Sequence, residues 1–263
     1  MQMFGQNVAV LIAGLVGLAL ARFLDDAALA AWGWRIAMAL GVGVVPIGLI
    51  LRRTLPETLP ADPAAVAPPL SSYRRTAIIA FLALLSGTIM TYVTNFLTTF
   101  AKTTLALPSN VAFWATVAVG IGGTIGAPLG GWLADRYGRR RIMILPTLLV
   151  CLLTLPAFWL LTVMPGKASL FVVGCGLRLA IGIALSAVLV HITEDFPVRV
   201  RSGALSIVYA LAISIFGGST QFVVAWLTGV TGSPLAPAWY MAAAAAIGVV
   251  ALWFARETAP SKS

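Results

Sequence analysis

The sequence predicts an all-α integral membrane protein with about eight transmembrane helices. The 263-residue chain is 60% hydrophobic and only 10% charged, and its mean hydropathy of +0.99 is far above that of a soluble domain. Apolar runs long enough to cross a bilayer recur along it, without the polar and apolar alternation of an outer-membrane barrel. Because the bilayer interior cannot hydrogen-bond an open backbone, each run is expected to form a helix.

The predicted spans fall into two groups separated by a linker. The first run, Val8–Leu20, follows a polar, uncharged start instead of the basic start of a signal peptide, so it is interpreted as a span. The connector Thr54–Tyr73 is rich in Pro and Ala, which predicts an extended linker. It divides the chain into 1–53, 54–73 and 74–263. The spans are predicted at roughly 6–23, 34–52, 76–100, 110–133, 142–162, 168–192, 203–229 and 237–255.

The distribution of basic residues predicts the orientation in the membrane. With both termini in the cytoplasm, the connectors that face outward hold only Arg22, Arg35, Lys102 and Lys167. Apart from Arg178, which lies within a span, all other basic residues then occupy inner connectors, as the positive-inside rule requires. The net charge of +9 is therefore explained by topology, and we predict a multi-pass protein of the plasma (inner) membrane without a nucleic-acid partner.

A basic loop between the fourth and fifth predicted spans carries the most specific motif. The segment Gly131–Arg140 reads G-x-L-x-D-R-x-G-R-R, in which Leu133 is the leucine and the glycines and charged positions are Gly131, Asp135, Arg136, Gly138, Arg139 and Arg140. Charge alone would fit a solvated basic turn. The spacing resembles the loop signature of the major facilitator superfamily of secondary transporters. That resemblance implies a gate in which Asp135 and Arg136 hold the cytoplasmic ends of neighbouring helices together.

Further connectors narrow the resemblance to one branch of that superfamily. The segments Leu51–Thr58, Glu194–Gly203 and Ile215–Gly218 resemble the metabolite:proton symporters, and Tyr92–Phe100 is similar to their citrate and tricarballylate carriers. The resemblance implies that 1–53 supplies the last two spans of the N-terminal bundle and 74–263 the whole C-terminal bundle of six helices. The first four spans of the family fold are then absent from the chain, and they are a candidate partner.

Arg178 is the one charged residue predicted to lie near mid-membrane. It follows Lys167, at the outer end of its span, by eleven residues, a rise of about 16 Å along a helix. A charge at that depth costs at least ~2.5 kcal/mol and rarely faces lipid. Two interpretations stay open: the guanidinium is held by helix carbonyls or by a polar partner on the absent helices, or it binds a substrate carboxylate through two parallel hydrogen bonds.

A polar stripe on the third span is the other candidate for a substrate site. Its members recur at spacings of three and four, which puts them on one helical face: Thr88, Thr91, Tyr92, Asn95, Thr98 and Thr99. Such a stripe either lines a cavity or bonds to a neighbouring helix. Gln221 in the seventh span is a lone polar residue with the same two interpretations. The candidate substrate-binding residues are therefore Arg178, Tyr92, Asn95, Thr98 and Gln221.

The remaining polar residues indicate a loop network instead of a catalytic site. Glu194 is close in sequence to Arg199 and Arg201, which fits either an ion-pair network or simple solvation. His191 near the inner end of its span could carry a proton, but a single histidine at such a position is more often structural, and it is interpreted so here. All acidic residues lie in connectors or at span ends, so a proton-coupled carrier would need a protonatable group on the missing spans or on the substrate itself. No metal site, cofactor site or enzyme activity is predicted.

The sequence thus predicts a secondary active transporter, a proton symporter for citrate or related di- and tricarboxylates that works by alternating access. Its partners would be a small organic anion, a proton and the lipid bilayer. Two alternatives remain at this stage. The chain could be a truncated fragment that does not transport, or the same fold could carry an osmolyte, shikimate or an aromatic acid.

Overall fold

A computed structural model describes residues 2–54 and 73–258, and the side chains of 51–53 and 198–200 lie outside the described part. Within these ranges the regular structure is entirely helical. The helices are α1 Gln2–Phe23, α2 Asp26–Ala28, α3 Trp34–Val42, α4 Val44–Thr54, α5 Arg74–Asn95, α6 Leu97–Thr103, α7 Ser109–Tyr137, α8 Arg139–Val163, α9 Lys167–Asp195, α10 Val198–Leu211, α11 Gly218–Thr231 and α12 Ala236–Trp253. Turns of π-helix at Leu29–Gly33 and Ala212–Gly217 join α2 to α3 and α10 to α11.

Eight helical segments of the described chain are long and apolar enough to cross a membrane, which confirms the predicted number of spans. Six of them are single helices and coincide with α1, α5, α7, α8, α9 and α12. The other two cover Asp26–Ile50 and Arg201–Thr231; each contains a π-helical turn, and the first also contains a turn at Gly43 between α3 and α4. The predicted linker falls almost wholly outside the described residues, so its extended form stays a prediction.

The third predicted span contains a break that the hydropathy pattern does not indicate. The sequence predicts one helix over roughly 76–100, whereas α5 ends at Asn95 and α6 begins at Leu97. The hydroxyl of Thr94 donates to the carbonyls of Met90 at 3.1 Å and of Thr91 at 2.8 Å. A threonine that bonds back onto the preceding turn bends a helix, and this bend lies beside Arg178.

Glycines bring α7 and α9 into backbone contact. Gly122, Gly126 and Gly130 recur at four-residue spacing along one side of α7. A Cβ added at Gly126 would lie 2.5 Å from the carbonyl oxygen of Leu179, and one at Gly130 equally close to that of Ile183. Since only small residues permit such an approach, this stripe fixes how α9 sits against α7.

A second glycine contact places α1 along another side of α7. A Cβ at Gly120 would meet the backbone nitrogen of Leu11 at 2.6 Å, and one at Gly14 would meet that of Val117 at 2.8 Å. One turn further along, Gly123 leaves the space that the side chain of Asn7 fills. The packing of these two helices therefore carries the only polar buried residue of α1 into the interior.

The inner connectors predicted from charge meet at one end of the bundle, which we call the basic end. Here Glu257, after α12, contacts the start of α8, and the guanidinium of Arg75 lies 3.4 Å from the carbonyl oxygen of Phe254. Lys167, predicted at the outer side, instead places its ammonium 3.9 Å from the ring centre of Trp114. These contacts agree with the predicted division of the connectors between two ends of the bundle. Which end faces the cytoplasm stays a prediction.

Candidate functional site

Arg178 lies in the interior of the bundle with its guanidinium hydrogen-bonded to one neutral side chain. The residue is 7% exposed. Its Nε and Nη2 donate to the same atom, Oδ1 of Asn7, at 3.1 and 3.0 Å. The third nitrogen, Nη1, makes only long contacts to the Thr91 carbonyl at 3.5 Å and the Thr94 hydroxyl at 3.4 Å. The polar partner therefore comes from α1, a helix of this chain.

No carboxylate among the described residues compensates the charge of Arg178. Asp135, Glu194 and Asp195 form their ion pairs at the basic end, away from Arg178. A guanidinium stays protonated at neutral pH, so the interior contains a cation whose partners are neutral oxygens. Burying a charge without an ionic partner is unfavourable, and the site is consequently poised to bind an anion.

Arg178 opens onto a cavity of about 480 Å³. Its walls come from α1, α5, α9, α10 and the second π-helical turn, so residues from both ends of the sequence contribute. The lining residues are Gln2, Met3, Gln6, Ala9, Val10, Leu84, Gly87, Thr88, Thr91, Tyr92, Asn95, Arg178, Leu185, Tyr209 and Ile213. The cavity combines one cation with hydroxyl and amide groups on a largely apolar wall, which suits a small ligand that carries carboxylate and hydroxyl groups.

The structure brings part of the predicted substrate-site set together. Tyr92 and Asn95 line the cavity with Arg178. Thr98 lies elsewhere, and its hydroxyl is 2.6 Å from that of Thr116 on α7. Gln221 is exposed on α11 and does not line the cavity. The polar stripe of the third span therefore divides at the α5–α6 break, with its first part facing the cavity and Thr98 bonded to another helix.

Sequence reasoning missed the contribution of α1. Gln2 and Gln6 line the cavity, and Asn7 contacts Arg178, whereas the hydropathy pattern marks these residues only as the polar start of the first span. Their spacing contained a usable signal, because Gln2 and Gln6 are four residues apart and so lie on one helical face. Tyr209 was also missed, and it has no comparable signal because it is one aromatic residue in an apolar helix.

The charged motif forms a cluster centred on Arg139 at the basic end. Arg139 is buried, and its Nε and Nη2 donate to the two carboxylate oxygens of Glu194 at 3.2 and 2.9 Å. Its Nη1 forms a very short contact with Asp135, one helical turn earlier on α7. The cluster therefore ties the end of α7, the start of α8 and the end of α9 together through a single guanidinium.

Arg136, which the resemblance assigns to the gate with Asp135, takes a different position. It is exposed, and its guanidinium carbon lies 5.5 Å from the ring centre of Trp132 and 5.7 Å from that of Tyr137. This places it outside the Asp135 ion pair. Gly138 explains the difference: its φ of +97° turns the chain at the α7–α8 junction, and the residue after the turn, Arg139, then faces back toward Asp135.

The segment after α12 covers the start of α8. The carboxylate oxygens of Glu257 accept hydrogen bonds from the backbone nitrogens of Arg139 at 2.8 Å and Arg140 at 3.2 Å. An anion at a helix N-terminus is stabilised by these otherwise unsatisfied donors and by the helix dipole. The Arg140 side chain reaches the same segment, with Nη2 2.6 Å from the Trp253 carbonyl oxygen.

The predicted loop network is present only in part among the described side chains. Glu194 pairs with Arg139 and accepts a 2.8 Å hydrogen bond from the Thr258 hydroxyl. Arg201 donates to the Phe196 carbonyl at 3.2 Å, and the side chain of Arg199 lies outside the described part. His191 is buried with Nδ1 3.2 Å from the Thr258 hydroxyl, which fits the structural role predicted for it.

Comparisons with known proteins agree with this architecture. Residues 79–263 match the profile of the Major Facilitator Superfamily. The chain is 31% identical over 258 residues to the citrate-proton symporter of Salmonella typhi, covering 95% of this chain and 59% of that protein. It is 32% identical to the citrate-proton symporter of Klebsiella pneumoniae, covering 94% and 57%, and 32% identical to the alpha-ketoglutarate permease of Escherichia coli (strain K12), covering 88% and 55%.

The chain spans between half and three fifths of the length of these curated relatives. No solved structure matches it. The profile match extends from within α5 to the end of the sequence and includes the Gly131–Arg140 motif, which covers the end of α7, Gly138 and the start of α8. On this evidence the protein is a multi-pass membrane protein that belongs to the Major Facilitator Superfamily.

Proposed function

We propose that this chain forms the substrate site of a secondary active transporter for small organic acids, with citrate or a related di- or tricarboxylate as the cargo. The observation that carries the proposal is the buried Arg178, which faces a cavity of about 480 Å³ and has no acidic partner among the described residues. A substrate carboxylate would supply the missing negative charge. Two relatives named as citrate-proton symporters support this cargo.

The chemistry of the cavity fits a hydroxylated polycarboxylate. Arginine binds a carboxylate with two parallel hydrogen bonds, which fixes the orientation of the ligand as well as its charge. Tyr92, Asn95 and Thr88 offer neutral donors on the α5 wall for a second carboxylate or a hydroxyl group. The cavity size also lies within the ~300–1,000 Å³ range of typical small-molecule sites.

Transport is proposed to follow the rocking of two helix groups around this cavity. In this proposal 1–53 belongs to one group and 74–263 to the other, and the linker between them is cytoplasmic. The cluster of Arg139, Asp135 and Glu194 is assigned to the gate, because it fastens three helix ends at the basic end of the bundle. We place the basic end on the cytoplasmic side of the inner membrane, as the positive-inside rule predicts.

Proton coupling belongs to the same proposal. The cavity wall formed by the described residues contains no carboxylate or histidine that could carry a proton through mid-membrane. We therefore assign the proton to one of the carboxyl groups of the substrate, which would enter in a partly protonated form. A proton gradient would then drive accumulation through the charge state of the cargo.

The proposal is tested by reconstituting the chain in proteoliposomes and measuring radiolabelled citrate binding and uptake with an imposed pH gradient. The wild-type chain is expected to bind citrate, and Arg178→Gln to bind at least about tenfold more weakly, since the charge-assisted bonds are lost. Arg141→Gln, which removes an exposed arginine of the basic loop, is the matched control and should behave as wild type. Absence of citrate binding by the wild-type chain, or equal binding by Arg178→Gln, would contradict the proposal.

A further inference from the structure

The side chain of Asn7 contacts Arg178 in the way that a bound carboxylate would. The Oδ1 atom of Asn7 accepts from both Nε and Nη2 of Arg178, at 3.1 and 3.0 Å. These two nitrogens form one of the edges of the guanidinium to which a carboxylate binds bidentately. The side chain of Asn7 thus occupies an edge of Arg178 that can bind an anion. One neutral amide oxygen stands where the two oxygens of a carboxylate would otherwise bind.

The position of Asn7 is fixed independently of Arg178. Its Nδ2 donates to the Met3 carbonyl at 2.7 Å, which sets the orientation of the amide and directs Oδ1 toward the guanidinium. The residue is 2% exposed and fills the space beside Gly123, where a Cβ would collide with the amide. The orientation of the acceptor is therefore set within α1 itself.

Because the side chain of Asn7 is uncharged, its contact with Arg178 leaves room for an anion to compete. An aspartate at the same position would compensate the charge of Arg178, so an external anion would no longer be attracted to it. An asparagine accepts from two nitrogens of the guanidinium but leaves its positive charge uncompensated. A carboxylate brings a net negative charge that the amide lacks and offers a separate oxygen to each of the two nitrogens, so a carboxylate can displace the amide.

We propose that Asn7 is an internal substitute for the substrate carboxylate: it occupies Arg178 when the cavity is empty and is displaced when an organic acid binds. This inference rests on the proposed function and adds a mechanism of coupling to it. Asn7 lies on α1 and Arg178 on α9, so their bond joins the two helix groups that are proposed to rock. Substrate binding would therefore break a link between the groups at the moment when the cavity is filled.

The test compares citrate binding to purified full chain by isothermal titration calorimetry for the wild type, Asn7→Asp and Asn7→Ala. Asn7→Asp keeps the shape of the side chain and is expected to weaken citrate binding at least about tenfold, because the ion pair removes the free charge. Asn7→Ala is expected to bind citrate as tightly as the wild type or several-fold more tightly, because no internal acceptor competes. A thermal melt without citrate should show Asn7→Asp at or above the wild-type melting temperature.

A double-variant experiment distinguishes competition from a general structural effect. In an Arg178→Gln background, Asn7→Asp should cause no further loss of citrate binding, since its effect acts through the guanidinium. Equal citrate affinity of wild type, Asn7→Asp and Asn7→Ala would overturn the inference and leave the proposed function intact. The same holds if Asn7→Ala loses binding while Asn7→Asp retains it.

The two proposals also fail differently when the wild type does not bind citrate. Binding by Asn7→Ala alone would support Asn7 as the internal competitor, while showing that the wild-type chain by itself lacks the proposed activity. Binding by neither protein would overturn both proposals.

Discussion

Arg139 and Glu194 form a bidentate ion pair, with Nε–Oε2 and Nη2–Oε1 distances of 3.2 and 2.9 Å. The pair joins the first residue of α8 to the last turn of α9. The arginine is almost fully buried, whereas the glutamate side chain is about one third exposed. The remaining guanidinium nitrogen contacts Asp135, so the two carboxylates share one cation between three helix ends.

Removing the charge of Glu194 should loosen this junction. Glu194→Gln leaves a buried arginine with one exposed acidic partner, and we expect a loss of about 1–3 kcal/mol in the free energy of unfolding. Thermal melting in detergent would measure it. Asp26→Asn, an acid-to-amide change at an exposed position, is the control and should shift the melting temperature little. Equal melting temperatures for the two variants would show that the ion pair contributes no net stability.

Replacing each of two glycines of the Gly131–Arg140 motif by alanine should have very different effects on stability. Gly138 has φ of +97°, and a Cβ there would lie 2.8 Å from Oε2 of Glu257, so Gly138→Ala combines backbone strain with a collision. We expect it to cost about 1–2 kcal/mol or more. Gly131 lies within α7 with no atom near an added Cβ, and Gly131→Ala should be neutral or slightly stabilising. Equally destabilised variants would mean that the turn at Gly138 is not the source of the effect.

The contact between α7 and α9 should not tolerate a methyl group. A Cβ at Gly126 would lie 2.5 Å from the Leu179 carbonyl oxygen, so Gly126→Ala must push the helices apart. We expect a loss of about 1–3 kcal/mol and a lower yield of folded protein in size-exclusion chromatography. Gly176→Ala on α9, where an added Cβ meets nothing within 4 Å, is the matched control. A wild-type yield for Gly126→Ala would contradict the close helix approach.

The division of the polar stripe at the α5–α6 break can be tested with citrate as the probe. Asn95 lines the cavity, so Asn95→Ala should weaken citrate binding several-fold while changing stability little. Thr98 bonds to Thr116 at 2.6 Å, so Thr98→Val should lower stability by about 1 kcal/mol and leave citrate affinity unchanged. A calorimetric titration and a thermal melt on each variant separate these effects. The reverse pattern would place Thr98, and not Asn95, in the site.

The proposed orientation in the membrane predicts which loops are accessible from each side. In a background with the free cysteines Cys151 and Cys175 replaced by alanine, single cysteines would be introduced as Arg141→Cys and Lys102→Cys. Both positions are exposed. An impermeant maleimide added to intact cells should label Lys102→Cys and leave Arg141→Cys unlabelled until the cells are opened. Labelling of Arg141→Cys in intact cells would reverse the proposed orientation.

The sequence alone predicted the class of the protein and the number of its spans, and it supplied the proposed orientation in the membrane. Hydropathy is a local sum over a window of residues, so the eight spans could be located without knowing how they pack, and the structure confirms their number over the residues that it describes. The basic connectors indicated which loops share one end, because loop charge obeys a rule that does not depend on packing. Helix rise alone predicted a mid-membrane depth for Arg178, and this prediction pointed to the residue on which the proposed function depends.

Only the tertiary structure decided which side chains meet. Asn7 and Arg178 are separated by 171 residues, and their contact depends on the glycine packing that sets α1 and α9 against α7. The turn at Gly138 likewise puts Arg139 instead of Arg136 beside Asp135, although the motif contains both arginines. Span positions follow from the composition of each segment, whereas these pairings depend on how far each helix is rotated and how closely its neighbour approaches.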